Sequence, residues 1–322
     1  MKSSEMGKDI DCLIVGYAGV DRIIKVSEMP EKGKTCKITN KDNHVVSYGG
    51  NGSNVAACMA NLGCKVTPLM RVGCDWEELG YRKKLLDYGV DISAVTVIPE
   101  ETTSICHLIE CPDGNHLTMT YPGAMNDKYA TDNYGDSLFQ RARYGVVTVA
   151  TKNDIKHFIA HAEKNKLPLV FGVRIDLDCF SPETFEYLLS NSEVIFMNES
   201  EKEFIESHFN PLQHYLDRGK AKHIIVTLGS QGSMVLLKDG KKVSVPAVPG
   251  IEVIDTTGAG DSYIAGYLYG YLRGYDARTC AIYGNTESSF IIRKQGCISE
   301  VPTEGELLQK AAVIQNGSND SE

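Results

Sequence analysis

Short apolar runs alternate along the chain with longer stretches in which apolar residues recur every three or four positions. The short runs, rich in Val, Ile and Leu, read as buried strands, and the longer stretches as helices packed over them. Strands are expected at 10–16 (IDCLIVG), 65–72, 144–150, 169–173, 194–197, 223–228 and 233–237, with helices at 53–63, at 77–88 and between most of the later strands. This alternation predicts an α/β architecture around a mainly parallel sheet.

Two regions break the pattern. Residues 20–48 are polar and strand-like and are interrupted by Pro30 and Gly33. Residues 93–121 carry two strand-like runs, Thr102–Glu110 and His116–Tyr121, around Pro112-Asp113-Gly114-Asn115, a turn sequence that predicts a hairpin. Each island follows a core strand, so the two are expected to pair as one small sheet beside the main one. With no long Pro- or Gly-rich linker, the expectation is a single domain over 1–322. Residues 316–322 are polar and are expected to fray.

Composition narrows the function classes. The 322 residues are 42% hydrophobic and 23% charged, which suits a packed domain rather than a disordered chain. The formal net charge of −9 gives no diffuse positive field for nonspecific nucleic-acid binding. No apolar run approaches the roughly 18 residues of a membrane span. The first residues, MKSSEMGKDID, are polar and acidic, unlike a secretion signal, so the expected location is cytoplasmic. The ten cysteines are scattered without a CxxC pair or zinc spacing, and are expected to be reduced, buried small hydrophobes.

The most informative segment is Asp255-Thr-Thr-Gly-Ala-Gly-Asp261, which runs straight into a helical pattern. Helix N-termini carry open N–H groups and partial positive charge, and Gly258 and Gly260 let an anion approach them. Asp261 then falls in the first turn. An anion cradle beside a carboxylate suits phosphoryl transfer: the carboxylate takes a proton from an attacking hydroxyl while the N–H groups hold the moving charge. A plain helix cap is the competing reading of Asp261 taken alone. The glycines of Ser262, Gly266, Gly270 and Gly274, spaced by four, weaken this helix, so it is expected to pack closely against the sheet or a neighbouring helix.

That string resembles the C-terminal signature of the ribokinase-like (PfkB) kinases. Gly49-Gly-Asn-Gly-Ser-Asn54 resembles the N-terminal signature, Asn198-Glu-Ser-Glu201 the family's NxxE, and Thr227-Leu-Gly-Ser-Gln-Gly232 its TxGxxG. In order and spacing the motifs cover about residues 10–305. The resemblance implies a ribokinase-like three-layer fold with a mainly parallel central sheet and a small β-sheet lid, formed by about 20–48 and 93–121. It implies that ATP donates its γ-phosphoryl group to a hydroxyl of a sugar or sugar derivative. Asp261 would be the base, with the N–H groups of Gly258, Ala259 and Gly260 as the anion hole. Asn198 would lie on the nucleotide and Glu201 would hold Mg²⁺ through water. Thr227, Gly229, Gly232 and Asn285 would line the ATP site. Asp21, Gly49, Gly50 and Asn54 would hold the substrate, and Asp255 and Thr257 a monovalent cation such as K⁺. The lid would close over the substrate and offers a route to a homodimer.

The chain also departs from the family's patterns. Where many relatives carry an Asp-Pro-Asn-like string it has Phe171-Gly-Val-Arg174-Ile-Asp176. Arg174 is a candidate for the ATP phosphates or an anionic substrate group, or for a surface ion pair with Asp176 or Asp178. Thr286, Glu287 and Ser288 stand where relatives often run small and apolar, and 293–299 is shuffled near the cation loop. Two other functions stay open: a nucleoside kinase on the same fold, and a non-catalytic sugar or nucleotide sensor.

Overall fold

The structure, a computed structural model, describes residues 7–112 and 116–317. The chain opens with β1 (Ile10–Val15), β2 (Gly19–Lys25), β3 (Val46–Gly49), α1 (Asn51–Asn61), β4 (Val66–Leu69), β5 (Arg71–Gly73) and α2 (Tyr81–Asp87). Next come β6 (Thr96–Ile98), β7 (Ile105–Glu110), β8 (His116–Tyr121), α3 (Asp136–Arg141), β9 (Ala142–Val147), α4 (Lys152–Lys164) and β10 (Leu169–Gly172). The rest is α5 (Pro182–Asn191), β11 (Ser192–Asn198), α6 (Glu199–His208), α7 (Leu212–Asp217), β12 (His223–Thr227), β13 (Ser233–Leu237), β14 (Lys242–Val245), α8 (Ala259–Leu272), α9 (Ala277–Ile291) and α10 (Glu304–Gly317).

The large sheet has the order β14-β13-β12-β11-β10-β9-β1-β4. It is parallel from β12 to β4 and antiparallel at the β12–β13–β14 end. Strand alternation feeds two cores. Cys12, Ile14, Val146, Val170, Val194 and Ile225 face α1, α8 and α9. Leu13, Val15, Val147, Phe171, Ile195 and Ile224 face α4, α5 and α7. Helices on both faces of a parallel sheet make the α/β layers expected from the sequence.

The two β-rich islands meet in a second sheet of order β3-β2-β7-β8. β2 and β7 pair in parallel, with Asp21 opposite Cys106, and β7 and β8 form an antiparallel pair. Of the turn expected at 112–115 only Pro112 is described, and most of the frayed terminus expected at 316–322 lies outside the described residues.

Boundaries shifted where backbone geometry overrode the apolar pattern. The run 65–72 is two strands: β4 stays in the large sheet, while β5 leaves it to pair with β6. The helix expected over 77–88 starts only at Tyr81, after turns that end in Gly80 at φ 73°. The strand expected at 144–150 is Ala142–Val147. The sequence pattern misses β14, because Lys242 and Ser244 leave it only two apolar positions; it is an edge strand, where lysine is usual.

Helix α8 is buried all round. A Cβ at Gly266 would stand 2.5 Å from the Tyr283 carbonyl oxygen, and one at Gly270 3.0 Å from Cys280 Sγ. The glycine stripe is therefore where α9 lies against α8. Gly274, at φ 78°, ends the helix.

Candidate active site

The C-terminal edges of β9, β10, β11 and β12 face the N-terminal ends of α1 and α8, the position where open α/β sheets collect ligands. Three connected cavities lie there. One of about 720 Å³ lies between the small sheet and α8, one of about 460 Å³ lies between β12, α9 and the 246–256 segment, and a smaller one of about 210 Å³ bridges them. Gly260 lines all three, and Asp261 lines the bridge and the larger cavity.

Asp261 sits in the first turn of α8 and is buried. It accepts hydrogen bonds from Asn51 Nδ2 at 3.0 Å and Asn54 Nδ2 at 2.8 Å. Burial raises its pKa, while the two asparagines and the Arg174 charge pull the other way. The result is a carboxylate held in place and more basic than an exposed one, as proton abstraction requires. Gly258, at φ 80°, precedes the helix. Ala259 N–H, expected in the anion hole, instead donates to the Thr256 carbonyl at 3.2 Å. Gly258 and Gly260 have the N–H groups left for an anion, and both line the larger cavity.

The substrate residues expected from the sequence are only partly where the motifs imply. Asp21 lines the larger cavity from β2, with its pKa raised to about 6 by burial and then by the charge of Asp255. Gly49 does not line that cavity: a Cβ there would stand 2.5 Å from Asp21 Oδ2, so its lack of a side chain makes room for the carboxylate. Gly50, at φ 94°, lines the cavity, and a Cβ on it would meet the Tyr17 carbonyl oxygen at 2.5 Å. Asn54 lines the cavity too, but one amide proton goes to Asp261.

On the other side, Asn198 and Glu201 cap α6 reciprocally. Asn198 Oδ1 accepts the Glu201 N–H and Glu201 Oε2 accepts the Asn198 N–H, both at 2.8 Å. They also line the bridging cavity, so the cap and the site are the same residues. Burial raises the Glu201 pKa against the pull of the Asn198 N–H and of Arg174. Thr227, Gly229, Gly232 and Asn285 line the 460 Å³ cavity. Asn285 Nδ2 donates to the carbonyls of Val245 and Pro246, so it fixes the cavity wall with its amide protons. Asp255 accepts the N–H groups of Thr257 at 2.8 Å and Gly296 at 3.0 Å, tying together the two loops expected to hold a monovalent cation. Thr257 lines the larger cavity.

Arg174 follows β10 and lines both the bridge and the larger cavity. The surface ion pair with Asp176 or Asp178 is not formed among the described residues. Sequence reasoning gave no role to Asn51, although it lies three residues before Asn54 on the same helix face, within the quoted glycine string. It also missed Asp176, Cys297 and the small-sheet residues Cys106, Leu108, Thr118 and Thr120, all of which line the larger cavity. Cys106 and Leu108 are alternate positions of β7, Thr118 and Thr120 of β8, while Asp176 and Cys297 stand alone; only the fold gathers them.

Residues 9–304 match the family described as pfkB family carbohydrate kinase. The chain belongs to that family. A pfkB kinase is a phosphotransferase with an alcohol acceptor and ATP as donor, so the chain is an ATP-dependent kinase of a sugar or nucleoside. It is 31% identical over 308 residues to a nucleoside kinase of Methanocaldococcus jannaschii, covering 94% of this chain and 97% of that one. It is 24% identical over 310 residues to a ribokinase of Arabidopsis thaliana, covering 92% and 80%. The crystal structure of the M. jannaschii nucleoside kinase, an archaeal member of the ribokinase family, superposes on it with a TM-score of 0.84 at 28% identity, covering 95% of this chain and 99% of that one. The three-layer fold of this pfkB kinase is the ribokinase fold. Among the described residues no helix is long and apolar enough to cross a membrane.

Proposed function

We propose that this kinase transfers the γ-phosphoryl group of ATP to a hydroxyl of a nucleoside. The observation that carries this reading is the size and lining of the acceptor-side cavity. Its 720 Å³ exceeds what a free pentose needs, and the wall offered by Cys106, Leu108, Thr118 and Thr120 is uncharged and partly apolar, as a base requires. Asp21, an acceptor of two hydroxyl hydrogen bonds when ionised, suits the vicinal diol of a ribose. The M. jannaschii relative supports the same choice.

In this reading the nucleotide lies in the 460 Å³ cavity along Thr227, Gly229, Gly232 and Asn285, with its phosphates toward Asn198, Gly258 and Gly260. Asp261 removes the proton of the attacking hydroxyl. Glu201, beside Asn198, fits a Mg²⁺ that keeps several waters, since among the described residues no three His, Cys, Asp or Glu side chains cluster as a full ligand set. The ion would neutralise phosphate charge. Asp255 and Thr257 are the residues for K⁺, tested by comparing rates in potassium and sodium. We take 1–322 as one domain acting in the cytoplasm, with β2, β3, β7 and β8 as a lid that excludes water and offers its edges to a second subunit in a homodimer.

The test is ADP release with ATP and Mg²⁺ across purine and pyrimidine nucleosides, ribose, hexoses, ketoses and sugar acids. The expected outcome is a nucleoside kcat/KM at least tenfold above that for ribose. Ribose as the best acceptor overturns the nucleoside reading, and no turnover with any acceptor favours a silent sensor.

A further inference from the structure

Arg174 is the one cationic side chain among the described residues lining the bridging and acceptor-side cavities. The other charges there are Asp21, Asp176, Glu201 and Asp261, all carboxylates. The Arg174 loop is pinned: Asp176 Oδ1 accepts the N–H groups of Asp178 and Cys179 at 3.1 Å, and the Asp176 N–H donates to the Arg174 carbonyl at 3.0 Å. The backbone is therefore fixed while the guanidinium forms no ion pair among the described residues. It shares the bridging cavity with both Asp261 and Glu201, and its charge favours the ionised form of Asp261.

We infer that the Arg174 guanidinium grips the transferring phosphoryl group and is a catalytic residue, and that the acceptor is uncharged. The inference rests on the kinase reading above. In the step, Asp261 takes the acceptor's O–H proton, the acceptor oxygen bonds to the γ-phosphorus, and the bond from that phosphorus to the β–γ bridging oxygen breaks to leave ADP. Arg174 exchanges no atom. It offers two parallel N–H donors to phosphoryl oxygens, in a place where the cradle otherwise consists of backbone N–H groups. The acceptor side keeps three aspartates and no second cation among the described residues, so a carboxylate or phosphate on the acceptor would meet repulsion.

The experiment compares wild type, Arg174→Gln and Arg174→Lys with the best acceptor of the panel. For Arg174→Gln the expected loss is about 10²–10³ in kcat, the scale of one lost oxyanion donor. Acceptor KM stays within threefold. Arg174→Lys recovers part of kcat, because the charge returns without the fork. The acid limb of the pH profile moves to higher pH in Arg174→Gln, because the cation that favours ionised Asp261 is gone; a merely structural arginine would not move it. Calorimetry without acceptor should show MgATP affinity falling at least fivefold and MgADP affinity unchanged. A kcat within threefold of wild type, or a rise confined to acceptor KM, overturns the proposal. If ribose rather than a nucleoside proves the acceptor, the nucleoside reading falls while every Arg174 readout can still be taken with ribose, and the MgATP against MgADP comparison needs no acceptor at all.

Discussion

The donor-side and acceptor-side cavities meet at Gly260 but are built on opposite principles. Among the described residues no charged side chain lines the donor side; its wall is glycines, hydroxyls, aliphatic residues and the Asn285 amide, drawn from 227–292. The acceptor side carries Asp21, Arg174, Asp176 and Asp261 and draws on segments from Tyr17 to Cys297. A donor common to the whole family can be held by backbone and helix termini, which tolerate sequence change. An acceptor that differs between relatives needs side chains that can be exchanged one at a time, and the small sheet supplies several of them without disturbing either core.

The sharpest cut falls at the junction. Asp261→Asn should lower kcat by about 10³ or more, since a base acting in the transition state is lost. MgADP and acceptor affinities should stay within a few-fold, because the amide keeps the shape of the carboxylate in the acceptor wall and Asp261 does not line the donor cavity. More than a tenth of wild-type kcat at saturating substrates would show that Asp261 is not the base.

A cut through the acceptor wall alone comes next. Asp21→Ala should weaken acceptor binding by roughly 2–4 kcal/mol, the scale for a charged group that accepts two hydroxyls, and leave MgATP binding unchanged. Calorimetry with each ligand separately decides, and equal losses for both would mean that the two sides are not independent. In the wild type, kcat/KM for the acceptor should fall as the pH drops below about 6, where Asp21 becomes protonated.

The same contrast explains what could be read in the sequence. The donor side and the bridge were legible because their residues come as local strings: Asn198-Glu-Ser-Glu201 is a capping box, and Asp255–Asp261 is a turn entering a helix. The core strands were legible because burial on both faces leaves short runs rich in Val, Ile and Leu. The acceptor wall was only half legible. Asp21 and Asn54 stand in motifs, but Cys106, Leu108, Thr118 and Thr120 face the cavity through strand pairing between β2, β7 and β8, which no local string encodes. Hydrogen-bond direction was also hidden: that Asn54 turns to Asp261, and that the Ala259 N–H turns to Thr256, follows from packing of α1 against α8 and from the path of the turn. The strand β14 was lost because an edge strand needs few apolar residues.

The smallest expected effect concerns stability, and it separates the two walls by charge. Burial holds the Asp21 pKa at about 6, against 3.8 for an ordinary aspartate. A raised carboxyl pKa means that the folded state binds its proton more tightly than the unfolded state does. The stabilisation from that proton is fully present below pH 3.8 and is lost as the pH rises through 6. Above that window the ligand-free protein carries a desolvated charge costing at most about 3 kcal/mol, from roughly two pKa units at ~1.4 kcal/mol each. Asp21→Asn removes this cost. The variant's melting temperature should therefore match wild type near pH 4, rise above it as the pH approaches 6, and stay a few degrees higher at pH 7 and beyond. Saturating acceptor should narrow or reverse the gap, because only the wild type gains binding energy from the ionised carboxylate. Among the described residues the donor wall has no charged side chain, so Asn285→Ala should change stability by an amount that does not depend on pH over the same range. Equal melting temperatures for Asp21→Asn and wild type at pH 7 would mean that Asp21 keeps enough water to ionise freely, and the difference in charge between the two walls would then have no energetic consequence in the unliganded enzyme.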